Sequence, residues 1–255
     1  MKRGRKQTLS GELKFRIPSG WGNLSDLEAM IACGLLSRED IEVGCVPAYA
    51  LIALSGIRVL GSTAGGYLVM DASGTRSVIS SEALAMISRR MQWITEVPSN
   101  PWRPKRLAGV ATIPADLSTV TLADWIAIDS AYAGASYTRR LSMLERAGSI
   151  LSPGKKRDYS LAELMAVLLW ISSVKDYLQY EFPDLFEAAP PADGCDTGED
   201  LRHRLMGAIN AQIRALTKGD ITKEEQVLSM PLYRAFAELN AQAREYDEIK
   251  RMRKR

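Results

Sequence analysis

Apolar residues recur at helical spacing over most of this chain, and one early stretch breaks the rhythm with strand-like alternation and glycine. Leu13, Phe15 and Ile17 alternate with polar residues, which predicts a short strand ended by Pro18 and Gly20. Asn23-Leu24-Ser25-Asp26 reads as a helix start, with Leu27, Met30 and Ile31 on one face and Gly34 as its close. Ser37 with Asp40 has capping-box spacing and predicts a second start. From Val46 to Leu54 nearly every residue is apolar and Pro47 suits a first turn, so that helix should be buried on most sides.

Ile57-Arg58-Val59-Leu60 and Tyr67-Leu68-Val69-Met70 then flank a glycine-rich segment, Gly61 to Gly66, and predict a β-hairpin. A phosphate loop fails on chemistry, because Tyr67 stands where the motif needs a lysine. Ser80 or Ser81 caps a helix carrying Leu84, Ile87 and Met91. Pro98, Pro101 and Pro104 make a stiff extended stretch that reads as a linker.

Thr121 with Asp124 starts the next helix, with Leu122, Trp125, Ile126 and Ile128. After Gly134 the pattern resumes with Leu141, Leu144 and Ile150. Ser160 with Glu163 caps the longest apolar helix, which runs to about Gln179 and carries Leu164, Leu168 and Trp170. Another helix spans Leu201 to Leu216 and stops at Lys218-Gly219. The fold class expected is mainly α with a small β-hairpin element (α+β). Its parts are a basic N-terminus (1–10), an α+β domain (11–97) with its hairpin at 57–70, and a proline-containing linker (98–120). A helical domain (121–186), an acidic loop (187–200) and a C-terminal helical region with a basic tail (201–255) complete the chain.

In the last quarter Thr222 and Glu225 have capping-box spacing, and Pro231 suits the first turn of a final helix. On that helix Leu232, Phe236, Leu239, Ala243 and Tyr246 recur at spacings of four and three, and Lys250 ends the stripe. Such a stripe serves partner docking or packs on its own domain, and sequence leaves both open.

Composition changes the picture little: 46% hydrophobic and 25% charged residues are ordinary for a globular chain. Charge distribution changes it more. Residues 1–6 carry four positive charges and residues 250–255 carry five, against a net charge of +3, so the interior is acidic and only the tips are basic. Lys155, Lys156 and Arg157, with Arg251, Arg253, Lys254 and Arg255, are the candidate phosphate contacts, which keeps nucleic-acid binding by the basic termini as an alternative. Three widely spaced cysteines lack a C-x-x-C pair, and no apolar run is long enough to span a bilayer, so a soluble protein of a reducing compartment is expected.

Catalytic signals are sparse. The single histidine, His203, sits between two arginines, and no nucleophile elbow or zinc spacing occurs. Asp193, Asp196, Glu199 and Asp200 do not follow the EF-hand order of ligands. Acidic pairs such as Asp124 and Asp129 keep a carboxylate-based enzyme as a second alternative. The leading expectation is a protein that is not an enzyme and takes no cofactor or metal.

Three stretches together resemble morphogenesis proteins of tailed phages and prophages. They are Ile17-Pro18-Ser19-Gly20-Trp21, Thr121-Leu122-Ala123-Asp124-Trp125-Ile126-Ala127-Ile128-Asp129, and Gly219-Asp220-Ile221-Thr222-Lys223-Glu224-Glu225 leading to Met230-Pro231-Leu232 and the charged helix beyond. The resemblance implies a role in building the tail or neck, as an assembly chaperone or virion component. The partners it implies are other tail or neck proteins, or further copies of the chain itself, met in the host cytoplasm or the virion. It implies no enzymatic activity and no membrane.

Overall fold

The computed structural model describes residues 13–154, 158–187 and 198–253, which divide into two units at Val97/Pro98. The architecture is mainly helical with a small antiparallel sheet.

The first unit is built from α1 (Asp26–Leu36), α2 (Val46–Leu54), β1 (Arg58–Thr63), β2 (Gly66–Met70), β3 (Arg76–Ile79) and α3 (Ser81–Ser88), with a 3-10 turn at Arg89–Thr95. A capping box starts α1: Glu28 N–H donates to Ser25 Oγ at 3.3 Å, and Ser25 N–H donates to Glu28 Oε2 at 2.7 Å. Gly34 does not close this helix, which runs to Leu36 with Ser37 as its C-terminal cap. The box expected at Ser37 and Asp40 does not form. Ser37 Oγ donates instead to the Gly34 carbonyl, and Arg38 beside it holds Asp40. The next helix therefore waits until Val46, where Pro47 sits in the first turn and its missing N–H leaves no bond unmade.

The hairpin forms, with strands that run into the glycines: Thr63 pairs with Gly66, and the register shifts between Val59 and Gly61. Gly66 has φ +131° and lies so close to the end of β3 that a Cβ there would sit 2.1 Å from the Ile79 carbonyl oxygen. That close approach, and not a phosphate, explains the glycine. The third strand, β3, pairs antiparallel with β2 and was not anticipated. Leu13–Ile17 is not a strand. Leu13 and Phe15 pack on a small core of Ile57, Val69 and Ile79, and Lys14 N–H donates to the Asp71 carboxylate at 3.0 Å. Trp21 and Trp93 meet edge to face at 5.7 Å, and their indole N–H groups donate to the carbonyls of Glu96 and Pro18, which pins the Pro18–Trp21 corner to the turn after α3.

The second unit contains β4 (Arg106–Leu107), β5 (Val110–Ala111), α4 (Leu122–Thr138), α5 (Glu145–Leu151), α6 (Leu161–Glu181), α7 (Pro183–Glu187), α8 (Gly198–Thr217), α9 (Glu224–Leu228) and α10 (Leu232–Arg253). Capping boxes at Thr121/Asp124 and Ser160/Glu163 start α4 and α6. Gly134 interrupts nothing, since α4 continues to Thr138. Trp170 on α6 is fully buried, and its Nε1–H donates to the Ala115 carbonyl at 2.7 Å.

Residues 98–120 are no free linker. Leu107, Leu117 and Val120 belong to the core of the second unit, and Trp102 N–H donates to Ser173 Oγ on α6 at 3.2 Å. The prolines set an extended path that the core then covers. At the other end, Lys218 and Gly219 take positive φ and end α8, with Gly219 N–H donating to the Arg214 carbonyl at 3.1 Å. The box expected from Thr222 and Glu225 is replaced by Asp220, whose carboxylate accepts from Thr222 N–H at 3.1 Å and from Thr222 Oγ1 at 2.6 Å. The acidic 187–200 segment lies largely outside the described residues, and α8 already begins at Gly198.

Candidate docking site on the last helix

The start of α10 is fixed from both sides. Leu232 N–H donates to the Val120 carbonyl and Leu122 N–H to the Met230 carbonyl, both at 2.9 Å, so Thr121 and Pro231 form a bridge that locks the starts of α4 and α10 together. Leu232, Ala235, Phe236 and Leu239 are buried in the core of the same unit. The Phe236 ring stands edge to face against Trp125, Phe182 and Phe186, with centroids 6.1, 5.8 and 6.0 Å away. One turn on, Asn240 closes the packed half: its Oδ1 accepts from Leu185 N–H at 3.0 Å and its Nδ2 donates to Asp184 at 3.2 Å.

The helix then changes character. From Arg244 to Arg253 every residue is exposed, including Tyr246 at 66%, Ile249 at 47% and Met252 at 67%. These three recur every third residue and so share one side of the helix. Beyond Arg244, acids come first along this half, at Glu245, Asp247 and Glu248, and bases follow at Lys250, Arg251 and Arg253. That order suits the helix dipole, and Asp247 and Arg251 have the spacing of a supporting pair.

This divides the predicted docking stripe. Leu232, Phe236 and Leu239 are unavailable to a partner because they are buried in the core of their own unit, Phe236 against Trp125, Phe182 and Phe186; Ala243 is half-buried and Tyr246 is exposed. Ile249 and Met252 were missed. The stripe's next step of four from Tyr246 falls on Lys250, whereas Ile249 and Met252 continue from Tyr246 at steps of three. Arg251 and Arg253 lie on the exposed end, whereas Lys155, Lys156, Arg157, Lys254 and Arg255 fall outside the described residues.

The acidic pair singled out from sequence, Asp124 and Asp129, has structural partners, whereas Asp193 and Asp196 fall outside the described residues. Asp124 serves the cap of α4, and Asp129 is paired with Lys175, whose ammonium also lies 5.2 Å from the centroid of the Tyr132 ring. His203 is exposed on α8. Among the described residues no helix is long and apolar enough to cross a membrane, and no cluster of three potential ligands could hold a metal ion. No protein-family description, curated protein or solved structure matches the chain.

Proposed function

We propose that this chain is a non-enzymatic morphogenesis protein of a tailed phage, acting by protein–protein binding in tail or neck assembly as a chaperone or virion component. The observation that carries the binding role is the division of α10, rigidly seated by Leu232, Phe236 and Leu239 and then presenting Tyr246, Ile249 and Met252 to solvent. A helix face held in place by a packed root is preorganised, so docking costs little ordering entropy. The assignment to phage tails rests on the resemblance of the three stretches described above.

The test is co-expression of the chain with the tail and neck proteins encoded beside it, followed by affinity purification. Co-purification that survives 0.5 M salt and is lost in Tyr246→Ser/Ile249→Ser supports the reading. No partner among those proteins overturns it. Retention on DNA that falls steeply with salt, with no protein partner, would favour the basic-terminus alternative, since phosphate contacts weaken strongly with ionic strength.

A further inference from the structure

The free end of α10, Glu245-Tyr246-Asp247-Glu248-Ile249-Lys250-Arg251-Met252-Arg253, is symmetric in pattern about Ile249. Reading outward from that residue, every acid on one side meets a base at the same distance on the other: Glu248 with Lys250, Asp247 with Arg251, Glu245 with Arg253. Tyr246 and Met252 complete the match with two large side chains of apolar body. The whole segment is exposed, and no ion pair among the described residues engages its charges. The helix dipole favours acids early and bases late, but it sets neither equal spacing nor an apolar residue at the centre.

We infer that this segment pairs antiparallel with the same segment of a second copy of the chain, about a two-fold axis at Ile249. Charge selects that occupant. Glu245 to Glu248 hold three acids and no base, and Lys250 to Arg253 hold three bases and no acid. An antiparallel copy lays each acidic half on a basic half, whereas a parallel copy would lay like on like.

Helical geometry brings the needed side chains to the seam. Glu245 and Arg253 lie about 40° to either side of Ile249, and Tyr246 and Met252 about 60°. Each end of the seam therefore sets Glu245 and Tyr246 of one copy against Met252 and Arg253 of the other. There the guanidinium finds both a carboxylate and an aromatic ring. Ile249 meets its own counterpart at the axis, while Asp247, Glu248, Lys250 and Arg251 point to the sides and back and stay in water. Because both copies offer the same surface, the contact is isologous and closes at two. It spans only about 12 Å of helix, which places the dimer among weak, transient pairs. The buried root of α10 presents the segment already folded, so little ordering opposes the contact.

This rests on the docking role proposed for α10 and names its partner. The test is sedimentation velocity on the full chain and three variants at exposed positions: Glu245→Arg, Arg253→Glu, and the two changes together. As concentration rises, the wild-type chain should move from its 28.1 kDa monomer mass towards twice that mass and no further. Either single change sets like charges across both ends of the seam and should weaken the dimer at least about tenfold. The double change exchanges the two signs and should restore association to within about threefold of wild type. Circular dichroism checks that each variant keeps its helix content. Three results overturn the inference: a wild-type chain still monomeric at about 1 mM, an assembly that grows past two copies, or a double variant no better than the single ones. The last would mean a parallel pair or association through another surface. A monomeric chain that still co-purifies with tail proteins would sink this inference and leave the proposed function standing. A dimer repaired by the double change, in a chain that captures no tail or neck protein, would do the reverse.

Discussion

The Tyr233 hydroxyl donates a 2.8 Å hydrogen bond to the backbone carbonyl of Asp116, so the first turn of α10 is tied to the loop ahead of α4. The same turn carries the Thr121–Pro231 bridge, and Phe182 lies edge to face against the Tyr233 ring at 6.0 Å. Burial, with the carboxylate of Asp116 nearby, pushes the phenol well above its ordinary pKa. Tyr233→Phe should therefore keep the fold and lower the stability of the second unit by about 1 kcal/mol, the usual worth of one such bond. Urea unfolding measures the loss. In an alkaline absorbance titration the wild-type chain should hold back one tyrosine that Tyr233→Phe does not.

Gly66 is the tightest point of the sheet. Its positive φ and the Ile79 carbonyl both forbid a side chain, so Gly66→Ala must separate β2 from the end of β3. A loss of about 2–3 kcal/mol in the first unit is expected. Gly65→Ala, where a Cβ meets nothing within 4 Å, is the control and should cost far less. Hydrogen exchange at Tyr67 and Ile79 separates the two outcomes.

Asp71 gives the first unit an acid-sensitive joint. Its carboxylate accepts from Ser73 Oγ at 2.6 Å and from the N–H groups of Lys14, Ser73 and Thr75 at 2.9 to 3.0 Å, which holds its pKa down to about 2 from an ordinary 3.8. A depressed carboxylate pKa stabilises the fold above the unfolded value and loses that contribution as pH falls through the folded one. The first unit should thus weaken between about pH 4 and pH 2, and Asp71→Asn should already be weakened at pH 7 and change less over that window. Thermal melts across the pH series would show the difference.

Much of the helical order was readable because caps are local. Thr121 with Asp124 and Ser160 with Glu163 need only residues three apart, and Pro47 needs only its own ring. Ser37 and Asp40 carry the same signature and fail, because Arg38 next to them captures the carboxylate. Thr222 fails likewise, with Asp220 placed to cap first. The strand Arg76–Ile79 is too short for alternation to register, and Asp71, which orders the turn before it, draws one bond from Lys14, far away in sequence. The packed state of residues 98–120 depends on Ser173 and Trp170, again distant. Whether the first half of the stripe on α10 packs or docks was left open for that same reason: nothing local to Leu232–Leu239 reveals that Trp125, Phe182 and Phe186 surround Phe236.

Cys33 and Cys45 should differ in reactivity. Burial pushes the Cys33 thiol up to about 12, so at pH 8 it carries almost no thiolate, whereas Cys45 is exposed. Iodoacetamide followed by peptide mass analysis should label Cys45 in the native chain and Cys33 only in denaturant. Native labelling of Cys33 would show that α1 is loosely held.

The two halves of α10 should separate under mutation. Phe236 fills a site bounded by three aromatic rings, so Phe236→Ala leaves a cavity there and should cost about 3–5 kcal/mol. Tyr246 is 66% exposed and beyond the last packed turn, so Tyr246→Ser should change stability by no more than about 0.5 kcal/mol. If the exposed half exists for binding, the ranking reverses in an association assay: Tyr246→Ser weakens partner capture while the chain stays as stable as wild type. Phe236→Ala instead loses binding only in proportion to the unfolded fraction, because its side chain never meets the partner. Measuring chemical denaturation and capture on the same two variants therefore tells a docking surface from a solvated helix end. Equal capture by wild type and Tyr246→Ser would assign the exposed residues no binding role.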